Sequence, residues 1–206
     1  MASLSQARTY GGVWSVLVLL TAVPTVGVIL GIAGFILVLI AIKHISEIVA
    51  DRSIFDNLLI GMILTIAGAI TGTVVIVGAV LSIIGLHHAI LINSGSSFNT
   101  SSIPTGDWIG LITSVLVGLA VVWVMLSVSG IFVRRSYTSI GSKLNIKTFE
   151  TAGLVYLIGA VTTIIGVGFI ILLIAEILLV IAFFSIEDTR LGISAPQPQQ
   201  QVSVSP

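Results

Sequence analysis

Four long apolar stretches alternate with short polar segments along the chain, at residues 11–42, 58–86, 108–133 and 152–186. Each is longer than the roughly 18 apolar residues that distinguish a membrane-spanning helix from a buried helix of a soluble protein. A straight helix over the first stretch would be roughly 48 Å long, whereas the hydrocarbon core of a bilayer is about 30 Å thick. The first and last stretches are therefore either long tilted helices or tight hairpins of two shorter helices.

Turn-forming residues favour the hairpins. Pro24 stands near the middle of the first stretch, where it cannot continue a helix unbroken but suits the first turn of a new one. Gly166 and Gly168 hold the matching place in the last stretch, and glycine tolerates the positive φ that tight turns need. We therefore predict an all-α, polytopic transmembrane helix bundle of six helices arranged as three hairpins. Four long helices remain the alternative.

The positions of the basic residues support six helices. With a cytoplasmic N-terminus, six crossings put every Lys and Arg on the cytoplasmic side, and the opposite loop at residues 87–107 contains neither. Four crossings would leave Arg8 and Arg190 outside. We predict a multi-pass protein of the cell membrane with both termini in the cytoplasm. Four basic residues in the loop after the third stretch are candidates for contact with lipid head groups: Arg134, Arg135, Lys143 and Lys147.

Composition agrees with a lipid environment. Hydrophobic residues make up 56% of the chain and charged residues 8%, against about 25% charged in soluble domains. The mean hydropathy is +1.22. A net charge of zero gives no reason to expect nucleic acid as a partner, and the lack of cysteine excludes thiolate chemistry. The sequence has no P-loop, HExxH or GxSxG motif, so we expect neither enzymatic activity nor a cofactor.

The chain reads as one transmembrane domain over residues 1–191, followed by a polar tail at residues 192–206 that should be disordered. Shifting the sequence by 141 positions aligns residues 10–45 with 151–186 without a gap, and the two turns coincide. Both copies would run in the same direction, which makes them parallel repeats. A composition rich in Ile, Leu, Val and Gly also produces matches by chance, so coincidence is the alternative.

Glu176 is the most informative single residue. It lies near the middle of the last apolar run, whereas the other charged residues lie at helix ends or in loops. A charge at mid-membrane costs roughly 2.5–3.5 kcal/mol on insertion scales. The functional hypothesis is a proton or cation site that faces the bundle interior. The structural alternative is a protonated carboxyl that is hydrogen-bonded to Thr162, Thr163 or Thr113.

Weaker candidates lie on the outer side. His87 and His88 could bind a metal with Asp107, although adjacent histidines point in different directions on a helix, and a hydrated pair is the simpler interpretation. Asn99 begins an Asn-Thr-Ser tripeptide that fits the glycosylation pattern. Small residues with spacing suited to close helix packing are Gly27, Gly31, Gly68, Gly72, Gly110, Ser114 and Gly118.

Two segments also resemble a known family. One is the run Gly-Phe-Ile-Leu-Val-Leu-Ile-Ala-Ile-Lys-His-Ile-Ser at residues 34–46, followed by Ile-Phe-Asp-Asn at residues 54–57; the other contains Phe149, Gly153, Gly159 and Ala160. They are similar to an uncharacterised family of archaeal and bacterial membrane proteins, domain of unknown function 996. The resemblance covers roughly residues 10–186 and implies an archaeal cell membrane. It implies no activity, ligand or catalytic residue.

The first functional hypothesis is a non-enzymatic structural or accessory component that packs with itself or with partner subunits. The small-residue stripes, the single intramembrane charge and the short loops support it. Expected partners are membrane lipids and either further copies of the chain or a larger membrane complex. The alternative is a small transporter or channel that uses Glu176 as its proton or cation site.

Overall fold

The computed structural model describes residues 4–20, 27–94 and 105–186, without the side chains of residues 18–20, 27–32, 83–94, 105 and 107. Pro24, Asn99, Arg190 and the tail at residues 192–206 lie outside the described residues. The predicted disorder of the tail and the glycosylation of Asn99 therefore stay predictions.

The described chain is helical apart from the short turns between the helices, and the prediction of six helices in an all-α bundle is confirmed. The helices are α1 (Leu4–Leu20), α2 (Gly27–Ile48), α3 (Arg52–Ser94), α4 (Thr105–Leu144), α5 (Lys147–Thr162) and α6 (Gly168–Phe184). One 3₁₀ turn, Thr163–Ile165, extends α5, and Gly166 then reverses the chain with a positive φ of 81°. Glycine adopts this conformation without the steric cost that a side chain would add.

The six helices form a closed ring. Each helix packs against the next one in the chain, and α6 packs against α1. The ring therefore consists of three consecutive hairpins, α1–α2, α3–α4 and α5–α6. The first and last hairpins are built alike, because α2 begins at Gly27 and α6 at Gly168, 141 positions apart. The matching bounds agree with the alignment of the two segments, while the duplication itself stays a prediction.

Aromatic packing joins α1, α5 and α6 at one end of the ring. The ring of Phe183 is fully buried and lies edge-on to Phe149, with centroids 5.1 Å apart, and to Trp14, with centroids 6.1 Å apart. Such edge-to-face pairs add about 0.5–1.5 kcal/mol each beyond the area they bury. Gly11 lies directly against the ring of Phe183, so any side chain there would displace it.

Small residues bring α3 and α4 together. A Cβ atom at Gly68 would lie 2.6 Å from the Cβ of Met125, and one at Gly118 would lie 2.8 Å from Cγ1 of Ile76. Gly72 lies against Val122 and the backbone of Gly118. This close approach is the packing mode that small residues provide in lipid.

The remaining small residues of the predicted stripes have other surroundings. A Cβ at Gly110 would meet nothing within 4 Å, and the Ser114 hydroxyl donates to the Gly110 carbonyl at 2.9 Å within α4. Gly27 and Gly31 lie on α2, and their surroundings fall outside the described residues.

Asp51 begins α3. Its Oδ1 accepts hydrogen bonds from the Ser53 backbone N–H at 3.1 Å and from the Ser53 hydroxyl at 2.6 Å. A carboxylate in this N-cap position satisfies a backbone donor that the helix leaves free. The hydrogen bond from the Ser53 hydroxyl holds the pKa of the exposed Asp51 carboxyl below its ordinary value.

The surface of the bundle is strongly apolar. Among large side chains, Val74 is 65% exposed on α3 and Leu116 is 61% exposed on α4. Within the described residues, three helical segments are long and apolar enough to cross a membrane: Arg52–Ser82, Trp108–Leu144 and Lys147–Ile165; Gly168–Phe184 is apolar but shorter. A surface of this kind suits acyl chains and would be unfavourable in water.

The prediction of a loop after the third apolar stretch was wrong. Arg134, Arg135 and Lys143 lie on α4, which continues to Leu144, and Lys147 is the first residue of α5. The helix continues because one of its faces is still needed in the bundle core. Side chains on that face are buried at helical spacing: Val133, Tyr137, Ile140 and Leu144.

Candidate functional site: a central cavity around Glu176

A half-open cavity of about 210 Å³ lies among the six helices, and every helix contributes to its wall. The lining residues are Trp14 of α1, Phe35 of α2, Leu58, Met62, Thr65 and Ile66 of α3, Val133 and Tyr137 of α4, Tyr156 of α5 and Glu176 of α6. Phe35 and Glu176 occupy equivalent places in the aligned segments, 141 positions apart. The first and last hairpins therefore turn corresponding faces toward the cavity.

Glu176 is the charged side chain of this wall. Its Oε2 atom is buried and makes no hydrogen bond. The threonines considered as partners do not supply one, because the Thr162 hydroxyl donates to the Ile158 carbonyl at 2.7 Å and the Thr163 hydroxyl donates to the Ala160 carbonyl at 2.6 Å. Thr113 is exposed. A buried carboxyl oxygen without a partner is unfavourable unless something else binds it.

Two phenols and the Thr65 hydroxyl share the cavity with the carboxyl. Tyr137 and Tyr156 line the same cavity as Glu176. Thr65, on the opposite helix, shares a 2.8 Å hydrogen bond with Ser129 of α4. The cavity thus combines one acidic group with a small number of neutral polar groups in an otherwise apolar and aromatic wall.

Contacts between the helices give the level of Glu176 along the bundle. A Cβ at Gly159 would lie 2.9 Å from the Leu172 backbone nitrogen, which places Glu176, one turn further along α6, level with Tyr156 on α5. A Cβ at Gly153 would lie 3.2 Å from Cα of Arg134. Glu176 therefore lies within about one helical turn of the Arg134 level, near the basic end of the bundle.

The arginines lie on the outside of the ring. Arg134 and Arg135 are exposed and line a surface depression of about 600 Å³ together with Asn57, Ile131, Thr138, Ser139 and Leu157. The Arg135 guanidinium lies 5.8 Å from the centroid of the Phe132 ring. Lys143 and Lys147 are exposed nearer the end of the bundle. The structure thus separates the basic candidates from the cavity.

The structure does not describe the side chains of the candidate metal ligands on the outer side. His87 and His88 lie on α3 and Asp107 on α4, but their side chains fall outside the described residues. Within the described part of the chain, no three metal-binding side chains come together.

Sequence reasoning missed most of the cavity wall. Trp14, Tyr137 and Tyr156 were not predicted as site residues, and Phe35 was noted only within the segment that resembles the family. The available signal was the presence of tyrosine and threonine inside apolar helices, away from the helix ends. Their convergence depends on how each helix is rotated in the ring, which the sequence does not show.

These features define the class as a helical bundle whose apolar helices are suited to a membrane. The chain belongs to the family described as "Protein of unknown function (DUF996)", which it matches over residues 30–177. It is also similar to the uncharacterised protein MJ1644 of the archaeon Methanocaldococcus jannaschii, with 31% identity over 185 residues, which cover 90% of this chain and 94% of the relative. No solved structure matches the chain. The family resemblance seen in the sequence is confirmed.

Proposed function

We propose that this protein is a non-enzymatic membrane protein that binds a small cation in its central cavity, as a transporter or channel does. The observation that carries the proposal is the buried, unpartnered Oε2 of Glu176 in a cavity lined by all six helices. A subunit that only packs against its neighbours gains nothing from a buried carboxyl oxygen that has no partner, because such an atom lowers stability. A bound cation would give that oxygen its missing partner.

The chemistry of the wall favours an organic monocation over a metal ion. Ca²⁺ takes about six to eight oxygen ligands, and Glu176 is the one carboxylate of the lining. Four aromatic side chains line the same cavity: Trp14, Phe35, Tyr137 and Tyr156. Aromatic faces beside a carboxylate suit alkylammonium groups, because the ring faces attract positive charge and tolerate methyl groups. Small alkylammonium ions are therefore the proposed ligand class.

Uptake of radiolabelled tetramethylammonium into proteoliposomes tests the transport proposal. We expect uptake by the wild-type chain and at least a tenfold loss with Glu176→Gln, which removes the charge and keeps the shape. The matched control is Glu47→Gln, the same change at an exposed residue that pairs with Lys43 at 3.9 Å. Equal uptake by Glu176→Gln and the wild type, or no uptake by the wild type, would overturn transport through this cavity.

A structural or accessory role is the second candidate function, and an apolar groove on α4 supports it. The groove has a volume of about 340 Å³ and is lined by Val117, Ala120, Val121, Val124 and Met125. An uncovered apolar groove suits another helix, from a second copy or from a partner subunit. Native mass analysis after mild extraction tests this role: a foreign subunit in fixed stoichiometry would support it, and a lone monomer would contradict it.

Contact with anionic lipid head groups is proposed for the basic end of the bundle. The exposed Arg134 and Arg135 beside their surface depression support it. Joint replacement of both by Gln should reduce the anionic lipid that co-purifies with the chain. Unchanged lipid content would contradict this role.

A further inference from the structure

The tip of the α5–α6 hairpin is unusually apolar for a turn at a membrane surface. Residues 151–175 contain no charged side chain. At the turn, Ile165 is 70% exposed and Phe169 is 67% exposed. A turn that meets water usually carries polar residues, because its backbone and side chains are solvated there. This tip instead presents isoleucine and phenylalanine outward.

Contacts with α4 give the height of this tip in the bundle. At the base, Gly153 lies level with Arg134, the first basic residue after the apolar part of α4. Near the tip, the Trp123 indole N–H donates to the Val161 carbonyl at 2.8 Å. Trp123 lies far short of Trp108, where the apolar part of α4 begins.

The two heights can be compared along the helix axes. From Arg134 to Trp108, α4 rises roughly 39 Å, enough to cross a hydrocarbon core of about 30 Å with some tilt. From Gly153 to Ile165, α5 and its 3₁₀ turn rise at most about 18 to 24 Å. Because α4 and α5 pack side by side, tilting affects both alike. The tip therefore ends near the middle of the bilayer.

A different placement of the membrane would put the tip at the far surface, but it conflicts with the side chains. The α3–α4 hairpin would then project into water beyond the tip, where Leu81 and Ile112 would be 61% and 57% exposed. The level of Arg134 and Arg135 would lie inside the hydrocarbon. Both consequences are unfavourable, so the placement with Arg134 and Arg135 at the membrane boundary is preferred.

We infer that the α5–α6 hairpin is re-entrant: it enters the bilayer from the side of Arg134 and turns back inside it, so that its tip contacts acyl chains. Helices α3 and α4 alone then reach the opposite leaflet among the four helices α3–α6. Length and composition allow Lys147–Ile165 to cross, but its position beside α4 leaves it too short to do so. The inference rests on depth alone and is independent of the proposed cation binding.

The turn between α5 and α6 forms internal hydrogen bonds, as a chain reversal inside lipid requires. The Gly166 N–H donates to the Thr163 carbonyl at 3.0 Å, and the Ile170 N–H donates to the Val167 carbonyl at 3.1 Å. The hydroxyls of Thr162 and Thr163 add hydrogen bonds to carbonyls at the end of α5. Internal bonding of this kind limits the cost of a chain reversal in lipid, where each free peptide group costs several kcal/mol.

Single cysteines in the natural cysteine-free chain test the inference. Gly106→Cys marks one end of α4, where a Cβ meets nothing within 4 Å, and Ser142→Cys marks the other, exposed end. We expect a membrane-impermeant maleimide to label each of these from its own side of sealed vesicles. Ile165→Cys should react at least tenfold more slowly from both sides, and at the normal rate after denaturation. Labelling of Ile165→Cys as fast as either marker, from the marker's side, would overturn the inference.

Fluorescence quenching measures the depth of the tip in the bilayer directly. Bimane attached to Ile165→Cys should be quenched more strongly by lipids with a nitroxide near the acyl-chain end than by lipids with a nitroxide near the head group. Stronger quenching by the shallow nitroxide would place the tip at a surface and overturn the inference.

Discussion

Replacement of Glu176 by Met tests whether its carboxyl binds a ligand or stabilises the fold. Met has a similar length, adapts to irregular cavities and carries no group that needs a strong hydrogen bond. The change removes the buried Oε2 atom that has no partner. A buried polar group left unsatisfied costs about 1–3 kcal/mol, so the variant should be more stable than the wild type by a similar amount. For a chain of this length, a gain of about 2 kcal/mol corresponds to roughly 4–8 °C in Tm.

Thermal unfolding of the purified full chain in lipid nanodiscs, followed by circular dichroism, measures this change. The control is Glu47→Met, at an exposed position where the effect should stay within about 0.5 kcal/mol. Gain of stability together with loss of cation uptake is the pattern of a site that sacrifices stability for function. A drop in stability of more than about 1 kcal/mol would refute the reasoning, because it would show that the carboxyl holds the helices together.

Three further substitutions test the packing and the caps. Gly72→Leu should destabilise the α3–α4 hairpin by about 1–3 kcal/mol through overpacking. The control Gly78→Leu should be close to neutral, because a Cβ there meets nothing within 4 Å. Equal unfolding curves for the two variants would contradict the prediction. Thr65→Val removes the 2.8 Å bond shared with Ser129 and the 3.1 Å bond that the Thr65 hydroxyl donates to the Gly61 carbonyl, and it should cost about 1 kcal/mol, with a smaller loss once Ser129 is already Ala. Asp51→Asn should lower stability at neutral pH only: the folded-state pKa of Asp51 is depressed, so its contribution is present above the ordinary value and is lost as the pH falls through the lowered one. A difference between the two proteins that persists at a pH where the Asp51 carboxyl of the wild type is protonated would contradict the charge-based explanation.

Much of the architecture could be predicted from turn chemistry and charge placement. Gly166 indicated the hairpin in the last apolar stretch, and it reverses the chain there with φ of 81°. The extension of α4 beyond the apolar stretch was missed, because Arg134 and Arg135 were interpreted as loop residues. The spacing of Tyr137, Ile140 and Leu144 held the correct signal, since these apolar side chains share one helical face.

The site was predictable only in part. Glu176 could be found from the sequence because a lone charge in an apolar helix is conspicuous. The level of Glu176 along the bundle could not be predicted, because the middle of α6 is not the middle of the bundle. Helix α6 is 17 residues long, whereas α4 is 40. The aromatic wall depends on the rotation of six helices about their axes, and side-chain spacing within one helix carries no information about it.

Equilibrium binding of radiolabelled choline to the purified full chain tests the cation site most directly. Choline and 3,3-dimethylbutan-1-ol share the same shape, but the second is uncharged. The proposal predicts saturable binding by the wild type, at least tenfold weaker binding by Glu176→Gln, and no competition from the neutral alcohol. Binding that is unaffected by Glu176→Gln, or competition by the alcohol equal to that by unlabelled choline, would contradict a cation site at this carboxyl.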